Sequence, residues 1–128
     1  NFWTGKVRSP LQAGTLLVLV ARRNGRIVGS VQLDHDTPPN QPHRAEVRKL
    51  LVHPSCRRMG IARALMAELE ARAPKLGRTL LNLDTRTGDK AEPLYTSLGY
   101  ITVGTIPEFC RDTIVDRLDA TTIMYKKL

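Results

Sequence analysis

The chain has 128 residues, of which 41% are hydrophobic and 25% are charged, a composition typical of one soluble globular domain. No apolar run approaches the roughly 20 residues of a membrane helix, and the opening residues do not have the pattern of a signal peptide. Two cysteines are too few for a disulfide framework. These features exclude a membrane-spanning or disulfide-stapled protein and predict a cytoplasmic one with reduced thiols.

The net charge of +8 predicts an anionic partner. Nucleic acid, an anionic membrane surface and a polyphosphate cofactor all meet that description. Aromatic residues make up only 5% of the chain and do not alternate with the basic ones, which argues against a platform for single-stranded nucleic acid. Charge alone leaves the partner open.

The first third of the chain predicts an antiparallel hairpin followed by a loop. Residues 1–14 have weak helical character, whereas residues 15–21 and 27–33 are branched runs typical of strands. Asn24 and Gly25 between them suit a type I′ turn, which requires positive φ at both positions. Prolines make residues 34–43 a loop. His35 and His43 there, with the two cysteines, fit no usual zinc spacing, so no metal site is expected.

The centre of the chain predicts a strand, a turn and a helix. Residues 45–52 form the strand, and Pro54 lies in the break after it. A basic turn at 57–62 then leads into a helix with apolar residues at four-residue spacing, which Pro74 ends. Residues 79–84 form the next strand, so that two parallel strands bracket the helix in a right-handed crossover.

The last third predicts a short helix at 90–98, with Asp89 as its N-cap, Pro93 in its first turn and Gly99 closing it. Strands at 100–106 and 121–126 follow, separated by a loop that holds Glu108, Cys110, Asp112, Asp116 and Asp119. The order β-β-β-α-β-α-β-β predicts an α/β (α+β) domain over residues 1–128, with a mixed, mostly antiparallel sheet covered by helices.

The turn at 57–62 is a candidate anion site. The first N–H groups of a helix have no intrahelical partners and carry partial positive charge, and Gly60 allows close approach of an anion to the backbone. The turn lacks the Gly-Lys-Ser/Thr ending of a nucleoside-triphosphate loop and the G-x-G-x-x-G of a dinucleotide fold. An ordinary structural helix start would have the same local pattern.

Two motifs together resemble the GNAT superfamily of N-acetyltransferases. Arg57, Gly60 and Ala62 match its acetyl-CoA motif, Gln/Arg-x-x-Gly-x-Gly/Ala, and a second motif is matched at Leu94, Tyr95, Gly99 and Tyr100. The resemblance covers residues 15–128 and implies the acyl-CoA N-acyltransferase fold with splayed central strands. It also implies that the family's usual first strand and most of its first helical pair are lacking here.

Within the superfamily, three segments look most like the tabtoxin-resistance acetyltransferase and its relatives. They are residues 44–50, 81–85 and 122–128. A shared subfamily does not by itself imply a shared acceptor.

The resemblance implies acetyl-CoA as the co-substrate. Its pyrophosphate would accept N–H groups of residues 58–63, its pantetheine arm would lie along residues 50–52, and the Leu50 N–H would stabilise the oxyanion of the tetrahedral intermediate. The predicted cofactor-binding residues are Leu50, Leu51, Val52, Arg57, Arg58, Met59, Gly60, Ile61, Ala62 and Arg63.

Three residues are predicted to be catalytic, each with a structural alternative. Glu46 lies where several family members carry a general base, but it could equally pair with Arg44 or Arg48. Asp84 would bind the acceptor's ammonium group or share the base role, or it is a turn residue at a strand end. Tyr95 would protonate the departing CoA thiolate, or it is a buried helix tyrosine.

The sequence thus predicts direct, sequential transfer of acetyl from acetyl-CoA to the primary amine of a small amino-acid-like, antibiotic or toxin acceptor. A protein lysine or N-terminal acetyltransferase and a non-catalytic CoA-binding module are the alternatives. No metal, nucleic acid or membrane partner is expected, and a homodimer through the late strands is compatible with the family. The acidic residues of 108–119 would either help to select a cationic acceptor or form a solvated connector, and Cys56 and Cys110 are expected to be ordinary thiols.

Overall fold

The computed structural model describes residues 3–8, 14–57 and 60–128, with the backbone alone described for 3–8. The chain divides into two compact units, one formed by residues 1–81 with 128 and the other by residues 82–127.

The first unit is an antiparallel sheet with one long helix on it. Its strands are neighbours in chain order, and each pairs with the next. A short 3₁₀ helix, Pro54–Cys56, precedes the α-helix and another, Ala73–Leu76, follows it. The elements are β1 (Trp3–Arg8), β2 (Leu16–Arg23), β3 (Arg26–Asp34), β4 (Arg44–Val52) and α1 (Ile61–Arg72).

Strand β1 corrects the prediction of helical character at the start of the chain. Residues 3–8 are extended and pair with β2, with Val7 opposite Val18 and Arg8 opposite Leu17. Residues 1, 2 and 9–13 lie outside the described residues. The prediction was wrong because the hydrogen bonds of an edge strand come from its neighbour, so local propensity does not reveal it.

The β2–β3 hairpin has the predicted turn. Asn24 and Gly25 have φ of 53° and 78°, and Arg23 lies directly opposite Arg26. Positive φ at both central residues of a two-residue loop is the signature of a type I′ turn.

Helix α1 is held by its apolar face. Leu65, Met66 and Leu69 are completely buried and Ile61 nearly so, and the helix packs mainly against β3. Gly29 of β3 makes room for it, since a methyl group there would lie 2.9 Å from Ile61 Cγ2 and 3.2 Å from the Leu51 carbonyl oxygen. The start of α1 and the end of β4 therefore meet at Gly29.

The return from α1 brings the chain back to the start of β4. The N–H groups of Thr79 and Leu80 donate to the His43 carbonyl over 2.9 and 3.0 Å. The strand that begins at Leu80 thus starts where β4 starts, as the predicted parallel crossover requires.

The second unit contains a short helix and three strands in the spatial order β5, β7, β6, with β6 and β7 antiparallel. The first two residues of β5 belong to the first unit. The elements are β5 (Leu80–Arg86), α2 (Ala91–Ser97), β6 (Ile101–Arg111) and β7 (Leu118–Lys127).

Strand β6 is longer than predicted. Glu108 and Cys110, expected in a loop, belong to the strand, and Cys110 lies opposite Asp119. The register shifts between Ile106 and Cys110, and Glu108 has a φ of 52°. Pro107 has no N–H to donate and lies within this bulge, where it is not required to pair. The pairing can therefore continue to Arg111.

Helix α2 is one residue shorter than predicted at each end, and its N-cap residue differs from the predicted one. It begins at Ala91 with Lys90 as the N-cap residue, and the Asp89 carboxylate accepts a hydrogen bond from the Lys90 N–H over 2.7 Å. Gly99 has a φ of 94°, which confirms it as the glycine that ends the helix.

Candidate active site

Strand β4 contains a β-bulge in its second half. The β3–β4 register shifts so that Lys49 and Leu50 lie opposite a single residue, Val31, and Lys49 has a φ of 52°. The bulge reverses which side of the strand faces inward: Ala45 and Val47 are buried before it, whereas the odd-numbered Leu51 after it is 63% exposed. A bulge interrupts the ladder and re-aims backbone groups, and this one does so at the residues predicted to bind pantetheine.

The start of α1 is uncapped and open, as the predicted anion site requires. Gly60, the N-cap residue, has a φ of 75°, no side chain caps the helix, and its first turn contains no acidic residue. A Cβ on Gly60 would have no atom within 4 Å. The N–H groups at the start of α1 therefore project from a backbone with no side chain at Gly60 to cover them and no carboxylate to compete with an anion.

The other predicted cofactor residues surround this helix start. Arg57 is exposed and extended at the end of the 3₁₀ helix, while Ile61, Ala62 and Arg63 form the first turn of α1. Leu51 and Ile61 both lie beside Gly29, so the structure brings the predicted pantetheine and pyrophosphate segments together. Arg58 and Met59 lie outside the described residues.

Glu46 lies on β4 opposite Asp34 of β3. Its carboxylate is 4.0 Å from Arg48 Nε, while Arg48 Nη1 lies 2.9 Å from the Asp34 carboxylate. Arg48 thus binds Asp34 more closely than Glu46. The ion pair that was the structural alternative for Glu46 is present but long, and a half-exposed pair of this kind contributes about 0–1 kcal/mol.

Asp84 is exposed near the end of β5. Its Oδ2 lies 3.0 Å from the Thr121 hydroxyl, which is also 3.1 Å from the Thr85 carbonyl oxygen. Thr121 is 3% exposed, so β7 positions the carboxylate. Because the hydroxyl has one proton to share between two acceptors, Asp84 keeps most of its acceptor capacity.

Tyr95 is held in a fixed position in α2. Its ring is 6% exposed and meets the Tyr100 ring edge to face at 5.6 Å, and its carbonyl accepts the Tyr100 N–H over 3.0 Å. Lys126 Nζ lies 5.7 Å from the centre of the Tyr100 ring and donates to the Leu98 carbonyl. Tyr95 and Asp84 lie on separate elements of the second unit.

Burial, together with the smaller effect of the negative charge of Asp89, raises the pKa of Tyr95 to about 12. Desolvation disfavours the charged phenolate, and a nearby carboxylate repels it. The phenol therefore remains protonated across the physiological range. Because a thiol has a pKa of about 8.5, transfer of this proton to a thiolate is uphill, and the raised pKa does not by itself favour an acid role.

The described residues contain no group of three or more metal-ligating side chains. Within the same residues, no helix is long and apolar enough to cross a membrane. Cys56 and Cys110 are both free thiols, the first buried and the second exposed.

Sequence reasoning missed the bulge at Lys49, the hydroxyl of Thr121 and the ion pairs around the β6–β7 turn. Lysine is not a residue that signals positive φ, so nothing local marks the bulge. Thr121 contacts Asp84 across 37 positions in sequence. The bulge and the Thr121–Asp84 contact have no short-range signal in the sequence, because each depends on which strands become neighbours.

The sequence pattern of the acetyltransferase (GNAT) family matches residues 4–100. An acetyltransferase of Pectobacterium atrosepticum is 40% identical over 91 residues, which are 70% of this chain and 61% of that protein. An uncharacterized N-acetyltransferase of Azospirillum brasilense is 33% identical over 95 residues, 73% of this chain and 54% of that protein. The chain therefore spans less than two thirds of the length of the curated relatives it matches.

Solved structures share the fold. The ribosomal-protein-alanine N-acetyltransferase of Brucella melitensis superimposes with a TM-score of 0.80 over 91% of this chain and 72% of that one, at 28% identity. A putative acetyltransferase from Salmonella typhimurium, solved with acetyl-CoA, has a TM-score of 0.80 over 91% of this chain and 67% of that one, at 23% identity. The lower identity of the second shows a common fold alone.

The fold and the family pattern both place the chain among proteins with the GNAT fold. It belongs to the acetyltransferase (GNAT) family. The predicted fold class is confirmed, while the splay of the central strands, the single-domain organisation with its missing first elements and the closeness to tabtoxin-resistance enzymes stay predictions.

Proposed function

We propose that the protein is an acetyl-CoA-dependent N-acetyltransferase that acetylates the primary amine of a small amino-acid-like acceptor, such as an antibiotic or toxin, by direct transfer with both substrates bound. The uncapped start of α1 is the observation that carries the proposal, since in a chain of this family it provides an anion site with no competing carboxylate.

The residues present fit acetyl-CoA. Gly60 leaves open space where a side chain would stand, and the bulge at Lys49 interrupts strand pairing beside Leu50. The N–H groups at the start of α1 would hold the pyrophosphate, with Arg57 adding positive charge, and residues 50–52 would lie along pantetheine. When bound, acetyl-CoA supplies the acetyl thioester that reacts.

The roles proposed for the remaining residues concern the oxyanion, the amine and the leaving group. The Leu50 N–H would hydrogen-bond the carbonyl oxygen of the acetyl group and stabilise negative charge there. Asp84 would bind the acceptor's ammonium group, and Glu46, Asp84 or water would remove its proton. Tyr95 would give its proton to the CoA sulfur.

The atoms balance without any further reactant. The ammonium group loses one proton to the base, the C–N bond forms as the C–S bond breaks, the nitrogen loses its second proton to solvent, and the sulfur receives a proton from Tyr95. After the base and Tyr95 exchange protons with solvent, the products are an N-acetyl compound, CoA thiol and one proton.

Acetylation of a protein N-terminus is the second candidate. It is favoured by the likeness to the ribosomal-protein-alanine N-acetyltransferase, at 28% identity. Peptides and free amino-acid-like amines, compared at equal concentration, separate the two functions, because a much faster reaction with peptides would exclude the small-acceptor proposal.

The cofactor site is tested by two variants of Gly60. Asparagine and aspartate both tolerate positive φ and have nearly the same size, and either side chain would point into open space. Near a pyrophosphate, only the aspartate adds repulsion, of about 1 kcal/mol in a solvated site. We expect Gly60→Asp to bind acetyl-CoA about fivefold to tenfold more weakly than Gly60→Asn in calorimetric titration, whereas equal affinities would remove the pyrophosphate from the start of α1.

A further inference from the structure

The second unit contains an open cavity of about 250 Å³ between the end of β5 and the β6–β7 turn. Asp84 forms part of its wall. The volume lies just below the roughly 300–1,000 Å³ of sites for drug-sized ligands, so the cavity suits a small acceptor. Its other charged lining residues are Arg86, Arg111, Asp112 and Asp119.

Two of the carboxylates in this wall are already neutralised. Asp112 lies 3.2 Å from Arg86 and 3.0 Å from Arg117, and Asp119 lies 3.7 and 2.7 Å from the same arginines. Asp112 also accepts the N–H groups of Ile114 and Val115, which with its arginine partners hold its pKa below the usual range. Two aspartates and two arginines thus form a network with no net charge. Neither carboxylate is left to pair with a charged ligand.

Asp84 is different because its only hydrogen-bond partner among the described residues is a hydroxyl, that of Thr121. Within those residues, no lysine, arginine or histidine lies at ion-pair distance from it. The cavity therefore has one carboxylate whose charge is not compensated, and a ligand's ammonium group would compensate it.

Arg111 provides the opposite charge. Its ion pair is with Asp116, at 3.3 Å, and the two side chains are 74% and 94% exposed. Such a pair contributes at most about 1 kcal/mol, so a ligand carboxylate can replace Asp116 at little cost. Arg86, by contrast, is held by both Asp112 and Asp119. The planar guanidinium of Arg111 can bind a carboxylate through two parallel hydrogen bonds.

We propose that this cavity is the acceptor site and that Arg111 determines its specificity: Asp84 binds the amine that is acetylated, and Arg111 binds a carboxylate of the same molecule. The acceptor class is then a zwitterionic amino acid or a molecule that contains one. The proposal rests on the proposed function. It assigns selection of the acceptor to Asp84 and Arg111, because Asp112 and Asp119 are already neutralised by arginines.

Matched pairs of acceptors test the proposal. Free amino acids and their α-amides present the same amine and side chain but differ in the carboxylate, and N-acetyl products are quantified by mass spectrometry with acetyl-CoA in excess. For the best pair we expect the wild type to prefer the free acid, and Arg111→Gln to raise KM for the acid at least tenfold with little change in kcat. KM for the amide should stay the same, and Arg111→Lys should recover part of the loss.

Arg22→Gln is the control, because it removes an exposed positive charge from β2, outside the cavity. It should leave both KM values unchanged, and the thermal midpoint of Arg111→Gln should match that of the wild type. If Arg111→Gln alters acid and amide equally, or neither, the specificity role is overturned while acetylation by the wild type still upholds the proposed function. A wild type that acetylates neither class of amine overturns both.

Discussion

Tyr95 combines a fixed ring with a hydroxyl that stays protonated, two properties that the proposed acid role requires. The aromatic contact with Tyr100 fixes its ring, and burial with the nearby Asp89 charge keeps its hydroxyl protonated. A phenol of this pKa is a weaker acid than a thiol, so the proposed acid role depends on where the hydroxyl lies relative to the CoA sulfur and not on its pKa.

Replacing Tyr95 with phenylalanine tests the acid role. The ring and its packing remain and only the hydroxyl is lost, so we expect kcat to fall about 10²-fold or more while the acetyl-CoA dissociation constant changes less than about twofold. The measurement is steady-state turnover together with calorimetric titration. Wild-type turnover in Tyr95→Phe would show that the thiolate takes its proton from elsewhere.

The same variant tests the raised pKa through stability. A tyrosine has a pKa of about 10 in the unfolded chain and about 12 here, so below pH 10 both states are protonated and nothing is lost. Between pH 10 and 12 the unfolded state loses its proton first, and the free energy of unfolding falls, by about 1.4 kcal/mol at pH 11. Denaturant unfolding at pH 9 and 11 should show this extra loss in the wild type and not in Tyr95→Phe; parallel losses would contradict it.

Glu46 is tested by its pH–rate profile. If Glu46 removes the proton from the acceptor's ammonium group, Glu46→Gln leaves the reaction dependent on amine already deprotonated in solution, and the rise of kcat/KM should move to higher pH. Asp84→Asn is the companion variant. If the pH–rate profile is unchanged in Glu46→Gln but shifted in Asp84→Asn, the base is Asp84. If neither variant shifts the profile, the base is water.

At the scale of elements, β4 and α1 act as a pair. The bulge at Lys49 disturbs the strand beside Leu50, and Gly29 of the neighbouring strand allows the start of α1 to approach the end of β4. The cofactor site proposed above depends on that approach, because the pantetheine and pyrophosphate segments belong to different elements.

Gly29→Ala should disturb this pair. A methyl group would lie 2.9 Å from Ile61 Cγ2 and 3.2 Å from a backbone oxygen, so α1 or β4 has to shift. We expect about 1–3 kcal/mol of destabilisation and weaker acetyl-CoA binding. Gly104→Ala is the matched control, because its methyl group would meet no atom within 4 Å and its φ is not positive; it should cost less than about 0.5 kcal/mol. Equal losses in the two variants would remove the close approach at Gly29 as the cause.

The elements that could be predicted are those with local signals. A pattern within a few residues of sequence predicts each of three features: the Asn24–Gly25 turn, the four-residue apolar spacing of α1 and the glycine after α2. Strand β1, the continuation of β6 past Pro107 and the bulge at Lys49 could not be predicted, because each depends on pairing with a neighbouring strand. For the site, Gly60 and Tyr95 were found through motifs, whereas the partnership of Thr121 with Asp84 needed the structure.

At the scale of the whole molecule, the positive charge and the family agree. A net charge of +8 favours an anionic ligand, and the GNAT family pattern over residues 4–100 directs that preference toward acetyl-CoA. Because the chain spans 61% of the Pectobacterium relative, the acceptor and the reaction are proposals for the protein as a whole, and a homodimer through β6 and β7 is a further expectation of the family.

The central claim is that this protein transfers acetyl from acetyl-CoA to an amine. The 128-residue chain is incubated with carbon-13-labelled acetyl-CoA and an equimolar panel of amino acids, their amides, aminoglycosides and peptides, and products are identified by mass spectrometry. Mass detection is preferred to a thiol reagent because Cys110 is exposed and would react with it. We predict labelled N-acetyl amino-acid-like products that require both the protein and acetyl-CoA; their complete absence, in a chain that acetyl-CoA still protects against thermal unfolding, would show a CoA-binding module instead of an enzyme.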